Sequence, residues 1–164
     1  MNVEYRTYVT RNDLSAPLRE TMVGLINQQL ADTQDLYSQV KQAHWNIKGM
    51  QFIQLHLLLD TLADSLIEYA DLLAERAAAL GGVALGTARM TASRSLLPEF
   101  PVEIVTDKQV VEVLAQRYGE YASSTRSAIT TTTDDGDPAT ADIFTEISRT
   151  IEKHLWMLEA HIQA

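Results

Sequence analysis

Apolar residues recur at helical spacing in four long stretches of this chain. The stretches run from about residue 17 to 45, 52 to 80, 106 to 130 and 138 to 162. Apolar positions repeating every three to four residues are typical of helices that bury one face. No stretch shows the alternation of apolar and polar residues that a strand shows. The pattern therefore predicts an all-α protein built on four long helices.

Capping residues mark the predicted helix ends. Ser15 is placed to cap the first helix, with Pro17 in its first turn, and Asp137 precedes Pro138 at the start of the fourth. These are preferred residues for helix N-termini. Gly81 follows the second helix as a C-terminal glycine. The β-branched run at 130–133 disfavours a helix, so we expect the third helix to end there.

Residues 83–105 connect the second and third helices and contain Pro98 and Pro101, with one short helix predicted at about Met90–Leu96. Antiparallel neighbours need less chain, so we expect this connection to cross the bundle. Such a four-helix bundle with a long middle crossover is a topology that includes the ferritin-like folds. We expect one domain over residues 1–164, with a short N-terminal extension at 1–15.

Composition and charge narrow the class of protein. The chain has no cysteine, which excludes disulfides and thiolate metal sites, and its formal net charge is −9. Its four lysines all lie at or after Lys41, and no basic cluster suits DNA phosphates. The acidic balance favours cations as partners.

With no apolar leader or membrane-length run, we expect a cytoplasmic location and no membrane partner, with nucleoid association left open.

Acidic residues form one stripe along the second helix. They lie four, four, three and four residues apart, with no Lys or Arg among them: Asp60, Asp64, Glu68, Asp71 and Glu75. Like charges one turn apart destabilise an isolated helix by roughly 0.2–0.5 kcal/mol each, so a solvated face usually includes lysine. With His56 at its head, the stripe favours a site for a hard cation such as iron or manganese. A plain solvated acidic face is the alternative.

The usual di-iron motif inside a bundle is missing from this sequence. Such bundles carry Glu-x-x-His twice, whereas here His154 follows Glu152 by two residues and His161 follows Glu159 by two. Those spacings do not place both groups on one helix face. The sequence therefore disfavours an ordinary bacterial ferritin or a di-iron oxygenase.

Two carboxylate-rich pairs remain on the second helix, His56–Asp60 and Asp71–Glu75. Their centres lie about 22 Å apart at 1.5 Å per residue, so one helix cannot bring both to one metal. Two copies of the second helix could instead pack antiparallel and cross near residues 65 and 66. His56–Asp60 of one copy would then face Asp71–Glu75 of the other. A two-fold interface would make two such sites. His44 is placed to join from the end of the first helix.

Three segments carry a resemblance to a known family. They are KQAHWNIKGMQFIQLH at 41–56 with Asp60 following, DLLAERAAALGGVALGT at 71–87, and HLWMLEAHI at 154–162. Together they resemble the Dps family, the DNA-protecting proteins of starved cells, which are also called mini-ferritins. The likeness runs from about residue 8 to the C-terminus.

The resemblance implies a hollow shell of twelve subunits with ferroxidase sites at its two-fold interfaces, each taking two iron ions. It assigns His44, His56 and Asp60 as ligands from one subunit, Asp71 and Glu75 as ligands from its mate, and Trp45 as a neighbour of the site. The implied chemistry is oxidation of Fe²⁺ by hydrogen peroxide without release of hydroxyl radical, and storage of ferric mineral in the shell. Because the ligands bind metal as neutral imidazole and carboxylate, binding should weaken at acid pH.

Further acidic residues carry weaker expectations. Asp64 and Glu68 are candidates for mineral nucleation. Asp137, Asp142 and Glu146 resemble the acidic iron-entry pore of the family. For Asp137 the alternative is a plain helix cap.

Two departures from the family pattern matter. Leu57 stands where many members carry Glu, and no lysine precedes Lys41, whereas members that bind DNA often use a lysine-rich N-terminal tail. We therefore expect weak or no DNA binding at neutral pH. Three other functions stay open: a DNA-compacting structural protein with secondary iron activity, a helical oligomer without metal chemistry, and a manganese or zinc binder.

Overall fold

The computed structural model describes residues 6–163, which form five helices. Their bounds are α1 Ala16–Asn46, α2 Phe52–Ala79, α3 Ala88–Arg94, α4 Asp107–Asp134 and α5 Pro138–Glu159. α1 packs along α2 and α4 along α5, and the two pairs meet where α1 contacts α4 and α2 contacts α5. The predicted all-α bundle with a helix-bearing crossover is confirmed. No helix among residues 6–163 has both the length and the apolar character needed to cross a bilayer.

The crossover carries the chain back along the whole bundle. Lys48, in the α1–α2 turn, donates its backbone N–H to Val105 at 2.7 Å and accepts from Asp107 N–H at 2.9 Å. α4 therefore begins beside that turn and runs parallel to α2. Gly49 is required here, because its φ is +143° and a side chain would overlap the Asp107 carboxylate.

A buried carboxylate holds the crossover against α1. Asp32 is 3 % exposed and accepts the backbone N–H of Leu96 at 2.7 Å and the side-chain amide of Gln28 at 3.2 Å. Burial raises the pKa of Asp32. Asp35, one turn on, accepts from the Ser95 hydroxyl at 2.5 Å. These bonds satisfy backbone groups of a loop that passes over the bundle surface.

Both ends of α3 and the C-terminal ends of α4 and α5 differ from the predicted ones, and α3 ends at Arg94 rather than Leu96. α4 continues to Asp134 through the threonine run because Thr132 is fully buried in the bundle, and each hydroxyl of Thr130 to Thr133 donates to the carbonyl one turn earlier. α3 begins at Ala88, two residues before the predicted start, because the Thr87 side chain caps it. α5 ends at Glu159 rather than 162.

The N-terminal segment lies against the body of the subunit. Tyr8 donates its backbone N–H to Gly81 at 2.8 Å. Gly81 has a φ of +84°, and a Cβ there would lie 2.6 Å from the Tyr8 carbonyl oxygen, so the close approach depends on glycine. Residues 1–5 of the predicted extension lie outside the described part of the chain.

Candidate metal centre

Two histidines lock the α1–α2 turn from both sides. His44 lies in the last turn of α1 and His56 near the start of α2. His44 Nδ1 lies 2.9 Å from the backbone carbonyl of His56, and His56 Nδ1 lies 3.1 Å from that of His44. Because a carbonyl oxygen only accepts, each Nδ1 carries the hydrogen. Each neutral ring then keeps its Nε2 lone pair for a metal.

The two imidazole rings are stacked, with centroids 3.8 Å apart and planes tilted by 20°. Asp60, one turn after His56, brings a carboxylate to the same place. Ligand atoms of His44, His56 and Asp60 all lie within 4.8 Å of one another. His44 is buried, whereas His56 and Asp60 are partly exposed. The cluster thus opens to solvent on one side, as a site that takes up ions must.

A lysine completes the surroundings of the cluster. Lys41 Nζ donates to Asp60 Oδ1 at 2.8 Å, and this hydrogen bond lowers the pKa of Asp60. The same ammonium lies 5.9 Å from the ring centroid of Trp45, whose side chain is 69 % exposed. Lys41 is not among the residues predicted for the site. Lys41 lies three residues before His44 and four before Trp45, so the sequence shows that the three share one face of α1 but not that Lys41 pairs with Asp60.

The other predicted ligands lie elsewhere on α2. Asp71 and Glu75 are exposed and, at 1.5 Å per residue, their pair is centred about 22 Å from the centre of His56–Asp60. The single chain therefore brings together three of the five predicted ligands. Asp64 and Glu68, between the two pairs, are also exposed.

Asp137 is engaged within the bundle. Its carboxylate is 1 % exposed, accepts from Arg76 Nη2 at 2.8 and 3.0 Å and caps α5 through the backbone N–H of Thr140 at 3.1 Å. Burial opposes its ionisation, but the bonds from Thr140 and Arg76 outweigh burial and lower the pKa of Asp137. Assembly cannot expose a side chain that is buried in the isolated chain. The structure thus favours the capping role over the pore, whereas Asp142 and Glu146 are exposed on α5.

The remaining histidines have separate surroundings. His154 is 5 % exposed and meets the Tyr118 ring edge to face, with centroids 6.2 Å apart. His161 is exposed and its Nδ1 lies 2.7 Å from the Met157 carbonyl. Within residues 6–163, the one group of three or more metal-ligating side chains is His44, His56 and Asp60.

Comparisons with known proteins place this geometry in context. Residues 23–164 match the ferritin-like domain family. The chain is 45 % identical over 158 residues to the DNA protection during starvation protein of Agrobacterium fabrum, covering 96 % of this chain and 98 % of that protein. DpsC from Streptomyces coelicolor superposes with a TM-score of 0.93 at 30 % identity, over 100 % of this chain and 96 % of that one. Mycobacterium smegmatis Dps superposes with a TM-score of 0.92 at 28 % identity, with 96 % of each chain covered.

Proposed function

The chain belongs to the Dps family of ferritin-like proteins, whose function is iron storage and protection of DNA against oxidative stress, and on this premise we propose that it is a ferroxidase with sites shared between two subunits. In each site, His44, His56 and Asp60 of one copy and Asp71 and Glu75 of the next bind two Fe²⁺ ions, with Trp45 beside them. Hydrogen peroxide is the preferred oxidant. The ferric product is stored inside a hollow shell of twelve subunits.

The observation that carries this proposal is the incomplete cluster. Its two imidazoles and one carboxylate are few ligands for two iron ions, since each ion favours more ligands than these three groups can give. Imidazole together with carboxylate suits iron. Asp71 and Glu75 supply the missing oxygens only if a second copy of α2 lies antiparallel to the first. In that register Asp60 of one copy faces Asp71 of the other, and His56 faces Glu75.

The apolar surface of α2 supports the same register. Leu57 is 59 % exposed and Ile53 54 % exposed, which is unusual on a helix that also carries an acidic stripe. In the antiparallel pairing they face the small side chains Ala74 and Ala78, so each large apolar group meets a residue that leaves it room. Leu57, which departs from the family pattern, thus has a packing role.

The predicted crossing near residues 65 and 66 brings the exposed residues around that point of α2 face to face. Leu66 itself is 0 % exposed and packs into the subunit's own core, so its neighbours on α2 make the contact. The surface available around that point comes from Asp64 and Ile67, which are both exposed. In the proposed register, Asp64 of one copy faces Ile67 of the other.

The chemistry follows from the ligands. Two Fe²⁺ ions each give one electron to one H₂O₂, the O–O bond breaks, two protons are taken up, and two Fe³⁺ and two H₂O result. Because both electrons arrive at one peroxide, hydroxyl radical is not released. Protein side chains supply the fixed imidazoles and carboxylates and leave positions on the iron ions open for the oxidant. Asp64 and Glu68 are proposed to receive the ferric ions for mineral growth.

Mixed shells test whether the site is shared. Asp60→Asn and Glu75→Gln each disable every site of a uniform shell. In a two-fold pair of one Asp60→Asn and one Glu75→Gln copy, one of the two sites is intact and the other is doubly defective. Random co-assembly of equal amounts should therefore restore about a quarter of the wild-type sites. If all ligands came from one chain, mixing would restore nothing, which would refute the shared site.

Stoichiometry tests the reaction itself. Fe²⁺ is added anaerobically to the metal-free protein, followed by a limiting pulse of H₂O₂, and ferric absorbance is recorded. We expect about two Fe²⁺ oxidised per peroxide, and loss of the fast phase in the His44→Ala/Asp60→Ala variant. Equally slow oxidation in both proteins would count against ferroxidase chemistry. Adding Mn²⁺ or Zn²⁺ before the Fe²⁺ and recording how much of the fast ferric phase is lost tests metal selectivity.

DNA binding is proposed to be weak or absent at neutral pH. The net charge is −9 and no lysine precedes Lys41, while the described N-terminal residues are bonded to the body through Tyr8. Phosphate contacts from Lys and Arg dominate affinity for DNA. A gel shift at physiological salt should show free DNA, and a tight complex would favour the alternative of a DNA-compacting protein.

A further inference from the structure

Met50 lies in the α1–α2 turn and is open to solvent. It is 100 % exposed, whereas Met22 on α1 is 0 % exposed. Met90 on α3 and Met157 on α5 are half-buried, and Met1 lies outside the described residues. Of the methionines that the structure describes, Met50 therefore presents its sulfur to solvent most fully.

The turn holds Met50 beside the metal centre. Gly49, just before it, accepts the backbone N–H of Phe52 at 3.2 Å, which closes the chain around Met50. The Phe52 ring lies 5.1 Å from the His56 ring, centroid to centroid. Residues two apart have Cα atoms at most about 7.6 Å apart, so Met50 belongs to the surroundings of a predicted iron ligand. An oxidant drawn to the metal centre therefore passes close to the Met50 sulfur.

The consequence of oxidising a methionine depends on where its side chain lies. A sulfoxide is polar, so at Met22 it would put an oxygen without a hydrogen-bond donor into the core. Among the described residues, Met50 is neither in the apolar core nor packed against it. An oxygen added at Met50 stays in water, and the backbone bonds of the turn do not involve the sulfur. Oxidation there therefore leaves the fold and the two histidine bonds in place.

We propose that Met50 is a peroxide modification site, which acts as a renewable sink for H₂O₂ that the metal centre does not reduce. The sulfur lone pair attacks one peroxide oxygen, an S–O bond forms and the O–O bond breaks. Sulfur loses two electrons, and the departing hydroxide takes the proton of the transferred oxygen to give one H₂O. Because the sulfoxide is exposed, a methionine sulfoxide reductase can reach it and restore the thioether. Delivery of peroxide to the turn rests on the proposed ferroxidase function, whereas the reactivity of the sulfur does not.

Peptide mapping tests the selectivity of the reaction. The assembled, metal-free protein is treated with H₂O₂, samples are quenched with catalase, and mass spectrometry measures the sulfoxide at each methionine. Because no iron is present, the result is independent of ferroxidase activity. We expect Met50 to be oxidised at roughly the rate of free N-acetylmethionine amide and at least about tenfold faster than Met22. A rate for Met50 no greater than those of Met90 and Met157 would overturn the proposal.

Peroxide consumption tests whether Met50 acts as a sink. During the time in which Met50 is oxidised in the wild type, metal-free Met50→Leu should consume about one H₂O₂ less per subunit. Leucine keeps an apolar side chain in the turn and removes only the sulfur. The matched control Met157→Leu should consume as much peroxide as the wild type. Equal consumption by Met50→Leu and the wild type would contradict the proposed role.

The oxidised protein tests whether the sink is renewable. After selective oxidation of Met50, Co²⁺ binding and shell size should be unchanged. Reductases for both sulfoxide epimers, supplied with dithiothreitol, should then restore the thioether. A loss of Co²⁺ binding would show that oxidation damages the metal centre, and a sulfoxide that the reductases leave in place would exclude renewal. Either result would overturn the proposal.

Discussion

His44 and His56 each direct Nδ1 at the other's backbone carbonyl, at 2.9 and 3.1 Å. The same two bonds that fix the α1–α2 turn also fix the tautomer in which Nε2 is left for a metal. Local fold and candidate chemistry therefore depend on one pair of contacts, and a change in either histidine affects both.

Substitution of His44 can separate the two effects. The amide nitrogen of Asn occupies about the place of Nδ1, so His44→Asn should keep the bond to the His56 carbonyl while removing Nε2. We expect it to lose metal binding yet unfold within roughly 0.5 kcal/mol of the wild type. His44→Ala should lose metal binding and about 1–3 kcal/mol of stability. Co²⁺ titration and urea unfolding of the metal-free protein measure both, and full metal binding by His44→Asn would contradict the ligand assignment.

Lys41 should compete with metal ions for Asp60. Its ammonium forms the 2.8 Å bond to Asp60 Oδ1 and has to release that oxygen when a cation binds. Lys41→Met should therefore tighten Co²⁺ binding roughly a few-fold. Lys108→Met is the matched control, since Lys108 is an exposed lysine on α4. Unchanged or weaker binding in Lys41→Met would show that the lysine supports the site rather than competing with its metal.

Asp137 and the exposed acids of α5 should behave differently. Asp137→Ala leaves Arg76 without its carboxylate partner and α5 without its cap, at a cost of about 2–5 kcal/mol. Asp142→Asn/Glu146→Gln should slow iron uptake with little change in stability, if these acids attract entering iron. Urea unfolding and initial uptake rates separate the two effects. Slower uptake in a well-folded Asp137 variant would restore it as a pore residue.

His154 should make the protein sensitive to mild acid. Burial, assisted by the charge of Lys153, lowers the pKa of His154 below the ordinary 6.5, so the unfolded chain takes up a proton at a higher pH than the folded one. The stability is then full above about pH 6.5 and falls as the pH drops toward the folded pKa. Between pH 7.5 and 5.5 the melting temperature of His154→Phe should change less than that of the wild type, because phenylalanine takes up no proton. The substitution removes no hydrogen bond of Nδ1, which has no partner among the described residues. An equal change in both proteins would exclude His154 as the cause.

Much of the architecture could be predicted from local patterns. Apolar spacing predicted the four long helices because each helix buries one face. The length of residues 83–105 and their prolines predicted the crossover. The end of α4 was wrong because propensity treats Thr130–Thr133 as isolated residues. In the structure their hydroxyls bond to the preceding turn, and Thr132 is fully buried.

The candidate site was predictable only in part. The i,i+4 spacing of His56 and Asp60 is visible in the sequence, and His44 lies just across one turn. The pairing of Lys41 with Asp60, which lies 19 residues away, depends on how α1 packs on α2 and has no local signature. The capping position of Asp137 before Pro138 is visible in the sequence, but its ion pair with Arg76, 61 residues away, is not.

The crossover has a consequence for how the subunit is built. Since it returns the chain along the whole bundle, each half of the subunit is a hairpin of sequence neighbours, α1 with α2 and α4 with α5. Such low contact order favours rapid local folding before the halves dock. Lys41, His44, His56 and Asp60 all belong to the first hairpin, so the metal cluster is encoded by 20 consecutive residues. Substitutions in the second hairpin, α4 and α5, therefore leave those ligand residues unchanged.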